Sequence, residues 1–168
     1  MLCIAEHGIR GVRVGDVAAR AGVSTALIYY HFSDRAGLLS ATLTYINAQF
    51  ERGTDAPDAR TALLSEFADG DPVRQTSIAW NELRASAIFD AALVPAVRSA
   101  TRRWNASIAA ALGADDADSR ADAEVLTSLV EGLAARWLSG TITRSRAVEL
   151  LSRTIESLLD PSTDHTAT

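Results

Sequence analysis

The chain has 168 residues, 48% apolar and 22% charged, a globular composition long enough for a buried core, and no apolar run nears the ~18 residues of a membrane span. Its net charge of −5 speaks against nucleic-acid binding until it is divided: residues 1–52 hold five arginines against four acids, and residues 53–168 hold eleven against seventeen. Only the first third can lie against phosphate, and with no lysine in the chain every fixed cation there is an arginine, suited to bidentate contacts.

The opening MLCIAEHGIR lacks the basic start and long apolar core of a secretory signal, which together with the lone Cys3 points to reducing, cytoplasmic surroundings; Cys3 is assigned no role. From there almost everything reads as helix, because apolar positions recur at three and four, β-branched alternation is scarce, and Gly or Pro marks the breaks. Leu2–His7 reads as the end of a helix stopped at Gly8, and Val14–Ala21 as a second stopped at Gly22. Ser24 caps a third running from Thr25 to about His31, and Asp34 caps a longer fourth over 35–52 with the stripe Leu39, Leu43, Ile46 and Phe50. After GTDAPD come helices over about 58–68, 72–89 and 95–112, the latter two with Pro72 and Pro95 in the first turn. GADDADS is the next break. An eighth helix carries Leu126, Leu129, Val130, Leu133 and Trp137, and a ninth, after SGTIT, carries Val148, Leu151, Ile155, Leu158 and Leu159. The expectation is an all-α protein of about nine helices: a head over 1–52, with helix 35–52 as connector, a helical bundle over 53–160, and a disordered tail over 161–168.

Two helices of about seven residues around a three-residue turn containing Gly22 have the spacing of a helix-turn-helix, whose second helix enters the major groove. Val17, Ala18, Ala21, Val23 and Ile28 supply small apolar contacts between the pair, and Phe32 turns inward. Tyr30 and His31 then face out near Ser24 and Thr25, offering hydroxyl and imidazole donors to phosphate oxygens and base edges. The plainer alternative is a helical hairpin in an ordinary bundle, with Tyr30 and His31 as half-exposed surface aromatics.

VGDVAARAGVSTALIYYHFSDRAGLL, residues 14–39, resembles the DNA-binding signature of the TetR family: Asp16-Val17-Ala18, Ala21-Gly22-Val23-Ser24, Tyr29, Phe32 and Arg35 fall in register. Trp80-Asn81-Glu82-Leu83-Arg84-Ala85 and Leu129-Val130-Glu131-Gly132-Leu133-Ala134 are similar to the sixth and eighth helices of one branch of that family. The resemblance implies DNA contacts from Arg13, Ser24, Thr25, Ala26, Tyr29, Tyr30, His31 and Arg35. Arg13 and Val14 stand where a capping Thr is usual, so Arg13 replaces a hydroxyl contact with a charge-assisted one, and Leu27 removes a further hydroxyl. Ala26 still lets the helix N-terminus approach the groove. The first helix is about two turns shorter than the family's and lacks its basic arm, which leaves open a start upstream of Met1 or a weakened head.

His7, His31 and His165 are isolated, and no metal-ligand spacing or glycine-rich phosphate loop occurs, so neither an enzyme nor a metal or other cofactor is expected. Phe67, Trp80, Phe89 and Trp104, with Arg84 as polar anchor, are plain core when each is taken alone. The family resemblance implies that together they line an effector pocket. Leu126, Leu129, Leu133 and Trp137, with Leu151, Ile155 and Leu158, are expected to serve both core and homodimer contact, since one reading head per chain needs a partner to span two half-sites. The function implied is a homodimeric repressor released from a palindromic double-stranded operator by a small molecule of unknown identity, with a coupling of about 1–3 kcal/mol sufficing. The alternative is a helical sensor or interaction protein of the same fold that has lost DNA binding.

Overall fold

The computed structural model describes residues 1–53, 58–113 and 116–159, and the side chains of these except 47 and 49–53. Among the described residues there are nine helices and no strand: α1 Leu2–Gly11, α2 Val14–Ala21, α3 Thr25–Phe32, α4 Arg35–Gly53, α5 Ala59–Ser65, α6 Asp71–Ser86, α7 Val94–Ala111, α8 Ala117–Leu138 and α9 Arg144–Leu159. Local chemistry sets many of their ends. Asp34 Oδ1 accepts the Gly37 amide at 2.7 Å, Asp58 that of Thr61 at 2.7 Å and Asp116 that of Ser119 at 2.7 Å, each satisfying an orphan donor of a first turn. These bonds hold the Asp58 and Asp116 carboxyls below the ordinary carboxylate range.

Two boundaries depart from the sequence expectation. Gly8 does break α1, at φ 66 and ψ 163, but the chain then resumes helical winding as far as Gly11. The sixth helix stops at Ser86, because the amides of Ile88 and Phe89 bond three residues back, to Ala85 and Ser86, and the helix winds out into a turn. Phe50, from the expected α4 stripe, and the tail 161–168 lie outside the described side chains and residues.

The chain forms two compact units, Met1–Arg52 with Gly70–Trp104, and Gly53–Asp69 with Asn105–Thr168. In the first, α1 packs along α6, and Ile4 and Ile9 join Leu39, Leu43 and Ile46 of α4 and Ala79, Trp80 and Leu83 of α6 in one core. A smaller core holds the reading pair: Val14 and Ala18 of α2, Ile28 of α3 and Leu38 of α4, with Val17, Val23 and Phe32 packed against it. Ala21, expected in this contact, is exposed.

In the second unit α8 packs on α9, and α5 packs on both. Arg60 of α5 reaches Glu156 of α9 at 3.0 Å, and Arg144 donates to the Phe67 carbonyl at 2.9 Å and to Asp69 at 2.8 Å. Leu126, Leu133, Leu151 and Ile155, expected to serve both core and homodimer contact, are 0–3% exposed within this single chain and form its own core. Leu129, Leu158 and Trp137 are half-buried, and the Trp137 ring meets Phe67 at 5.9 Å.

Two predictions follow from this packing. A Cβ built on Gly37 falls 2.0 Å from the Phe32 carbonyl oxygen, so Gly37→Ala forces α3 and α4 apart; urea unfolding should show a loss of about 1–3 kcal/mol or more. Glu66, half-buried after α5 and with no hydrogen-bond or ionic partner for its carboxyl among the described residues, is raised by burial from its ordinary 4.5 to about 8. Between those values the folded state holds a proton that the unfolded chain has lost, so Glu66 makes stability fall as pH rises. Glu66→Gln should therefore raise the melting temperature more at about pH 9 than at about pH 5.

Candidate nucleic-acid interface

Helix α2 ends because Gly22 adopts a left-handed conformation, φ 67 and ψ 29, from which its amide closes on the carbonyls of Ala18 and Ala19. The Val23 amide bonds back to Ala18 at 3.0 Å, completing a tight exit that an L side chain at position 22 would strain. The turn then delivers Ser24, whose Oγ accepts the Leu27 amide at 3.2 Å and starts α3. Only Ile28 of α3 is fully buried, with Phe32 half-buried beside it. The rest of the helix is presented to solvent, with Leu27 at 42%, Tyr29 at 46% and Tyr30 at 82% exposure.

The expected DNA-contacting residues therefore fall together on one element and its flanks. Ser24, Thr25, Ala26, Tyr29, Tyr30 and His31 are exposed, and the Tyr30 and His31 rings meet edge to face at 5.2 Å. Arg13 sits exposed at the N-cap of α2 and makes no side-chain capping bond. Arg35, also exposed, is already engaged: its Nη2 donates to the Ile9 carbonyl at 2.6 Å. Arg20, at the end of α2, is held by Glu6 of α1, whose carboxyl that bond lowers.

The residues expected at the effector site are placed less uniformly. Trp80 and Trp104 are 5% and 6% exposed, Trp80 within the core of the first unit, and Arg84 Nη2 donates to Asn81 Oδ1 at 3.3 Å. Phe67 is 1% exposed in the second unit, whereas Phe89 is 83% exposed on the turn after α6. Burial of Trp80 and Trp104 follows from helical periodicity, whereas Phe67 is buried from the turn after α5. The exposure of Phe89 follows from the early end of α6, which the apolar run ASAIF conceals. A cavity of about 720 Å3 in the first unit is bounded by other residues, among them Met1, Cys3, Val17, Phe32, Leu38 and Tyr45. Val125, 51% exposed on α8, and Leu159, 41% exposed on α9, were not singled out from sequence as surface positions. The spacing of Val125 one turn before Leu129 was the available signal.

A glycine turn that presents a short, largely exposed second helix is the frame of helix-turn-helix DNA-binding regulators. Residues 2–42 match "Bacterial regulatory proteins, tetR family" and residues 56–160 match "BetI-type transcriptional repressor, C-terminal". The chain is 29% identical over 178 residues to the HTH-type transcriptional regulator BetI of Burkholderia mallei (strain NCTC 10229), covering 94% of this chain and 88% of that one. Among solved structures it is similar to a TetR-family transcriptional regulator from Rhodococcus sp., with 40% identity, a TM-score of 0.86 and coverage of 95% and 93%. A regulator from Saccharomonospora viridis, solved in complex with choline, is 25% identical with a TM-score of 0.72, over 92% of this chain and 90% of that one. The chain belongs to the TetR family and is a DNA-binding transcriptional regulator. Its family comprises transcriptional regulators and not enzymes. No described helix is long and apolar enough to cross a membrane.

Proposed function

We propose that the protein is a cytoplasmic homodimeric repressor that holds a palindromic operator through α3 and lets it go when a small molecule binds the regulatory helices. The observation that carries this reading is the exposure of α3: Tyr30 at 82% and Tyr29 at 46%, on a helix that a stable bundle would have buried. Ser24, Thr25, Ala26, Tyr29, Tyr30 and His31 supply the groove contacts, and Arg13 adds a charge-assisted phosphate contact at the start of α2. A functional head over 1–52 and an effector and dimerisation region over 53–160 remain the working division. The compact packing units divide the chain differently, with α6 beside the head.

The partner surface is the outward side of α8 and α9, where Val125, Leu129, Leu158 and Leu159 remain after the inner stripe is spent on the core. Two subunits joined there present two α3 helices to half-sites roughly 34–36 Å apart. Trp80, Arg84 and Trp104 of the first unit remain the proposed effector-binding residues, with Phe89 the member that the turn leaves outermost. Choline, bound by the S. viridis relative, is the first compound to try as a releasing agent.

Duplexes selected by the wild-type protein from a random library should be palindromic, and affinity should fall steeply with salt. Tyr30→Ala and His31→Ala should each weaken operator binding by about 1–3 kcal/mol while leaving the unfolding midpoint unchanged. A flat salt dependence, or unaltered binding by both variants, would favour a sensor that has lost its DNA function. Leu129→Arg and Leu158→Arg should convert a dimer to monomer in sedimentation velocity at micromolar protein, because each buries an unpaired charge in the joint. A monomeric wild type ends the homodimer reading.

A further inference from the structure

The break at Gly8 frees the amide of Ile9 from α1, the end of the helix at Gly11 frees its carbonyl, and two charged side chains have taken them. With Gly8 at φ 66 and ψ 163, the Ile9 amide turns out of the α1 ladder and donates to Glu82 Oε2 of α6 at 2.8 Å. The Ile9 carbonyl accepts Arg35 Nη2, from the first residue of α4, at 2.6 Å. Both bonds are charge-assisted, and they act on the two ends of one residue whose side chain is itself 5% exposed in the core. The fit at Glu82 is close: a Cβ at position 8 would lie 3.1 Å from the same carboxylate oxygen. Only a residue tolerant of positive φ turns the Ile9 amide toward α6 in this way.

The chain of contacts continues into the reading head. Arg35 follows the Asp34 cap directly, and Gly37 one turn on lies against the carbonyl of Phe32, the last residue of α3. Position is therefore passed from α6 through Glu82, Ile9 and Arg35 to the α3–α4 junction, entirely inside one compact unit. Elsewhere α1 is tied by Arg20 of α2 to Glu6 and by Thr76 of α6 to Met1 Sδ, whereas at Ile9 it is held through its backbone from α4 and α6 together.

We propose that Glu82 and Arg35 are positioning residues that seat the reading head on α6 through the backbone of Ile9, and that Arg35 serves DNA binding as this brace and not as a phosphate contact. The proposal rests on the DNA-binding reading of α3. It separates from that reading by the signature of salt: removing a phosphate-binding arginine lowers the slope of log K against log salt by about 0.9 per contact, about 1.8 for the two subunits of a dimer, whereas removing a brace lowers affinity at unchanged slope.

The test uses the full-length protein and a duplex selected by the wild type. Arg35→Ala and Glu82→Ala should each weaken binding roughly tenfold or more, with the wild-type salt slope. The double variant should bind no more weakly than the worse single, because loss of either bond frees the same residue. Glu82→Gln, which keeps an acceptor oxygen without the charge, should fall between wild type and Glu82→Ala, and stands in if Glu82→Ala fails to fold. An Arg35→Ala slope reduced by about two units, wild-type affinity in the Glu82 variants, or full additivity overturns the proposal. Amide exchange of the free protein provides a reading that needs no DNA: both single variants should speed exchange at Ile9 and across α3. Unchanged α3 exchange overturns the joint, whereas a wild type that selects no duplex overturns only the DNA-binding reading.

Discussion

An eight-residue helix that must leave most of its side chains free for DNA has almost nothing of its own to hold it in place. That is the constraint on which the head is built. Helix α3 contributes one fully buried residue, Ile28, and its position comes from what surrounds it: the left-handed exit at Gly22, the Ser24 cap, and the contact of Gly37 with the Phe32 carbonyl. Each of these is a backbone device, costing no side chain on the exposed face. The small core of Val14, Ala18, Ile28 and Leu38 then fixes the pair of helices against the start of α4. Reading and support are thereby divided between the two faces of one short helix.

The charge arrangement follows the same economy. The chain is acidic as a whole, yet two of the four acids of the first third are engaged: Glu6 is held by Arg20, and Asp34 caps α4. What remains for a phosphate backbone is a modest positive surplus that includes the exposed Arg13. Affinity then depends on placing a few contacts well more than on a strong attractive field. Placement in turn depends on how the head is seated, which gives the Ile9 backbone and its two charged partners their importance.

The second unit meets a different demand. Its helices α8 and α9 fill a core with one face, and the inner stripe of Leu126, Val130, Leu133, Leu151 and Ile155 is wholly consumed by it. Glu66 is the anomaly in this unit. A half-buried carboxyl with no partner among the described residues destabilises the fold as pH rises.

The sequence by itself determined the helical class, the number of helices, the Ser24 and Asp34 caps, and the glycine turn, because each is written in neighbouring residues and in a period of 3.6. The outward-facing residues of α3 were legible for the same reason, since Ile28 and Phe32 mark the side that packs. Tertiary structure decided what periodicity leaves degenerate. A leucine stripe on α8 reads alike whether it meets α9 or a second subunit, and only the packing shows that Leu126 and Leu133 are spent inside the chain. Phe89 looked like one more helical apolar until α6 was seen to unwind at Ser86. Arg35 sat in register with a DNA-contact motif, yet its guanidinium found the Ile9 carbonyl, 26 residues earlier, which the end of α1 at Gly11 leaves without a helical partner, as the break at Gly8 does the Ile9 amide. A hydrogen bond between residues so far apart in sequence, made to a backbone group freed by a local break, has no signature in composition or spacing; it exists only once α1, α4 and α6 have come together.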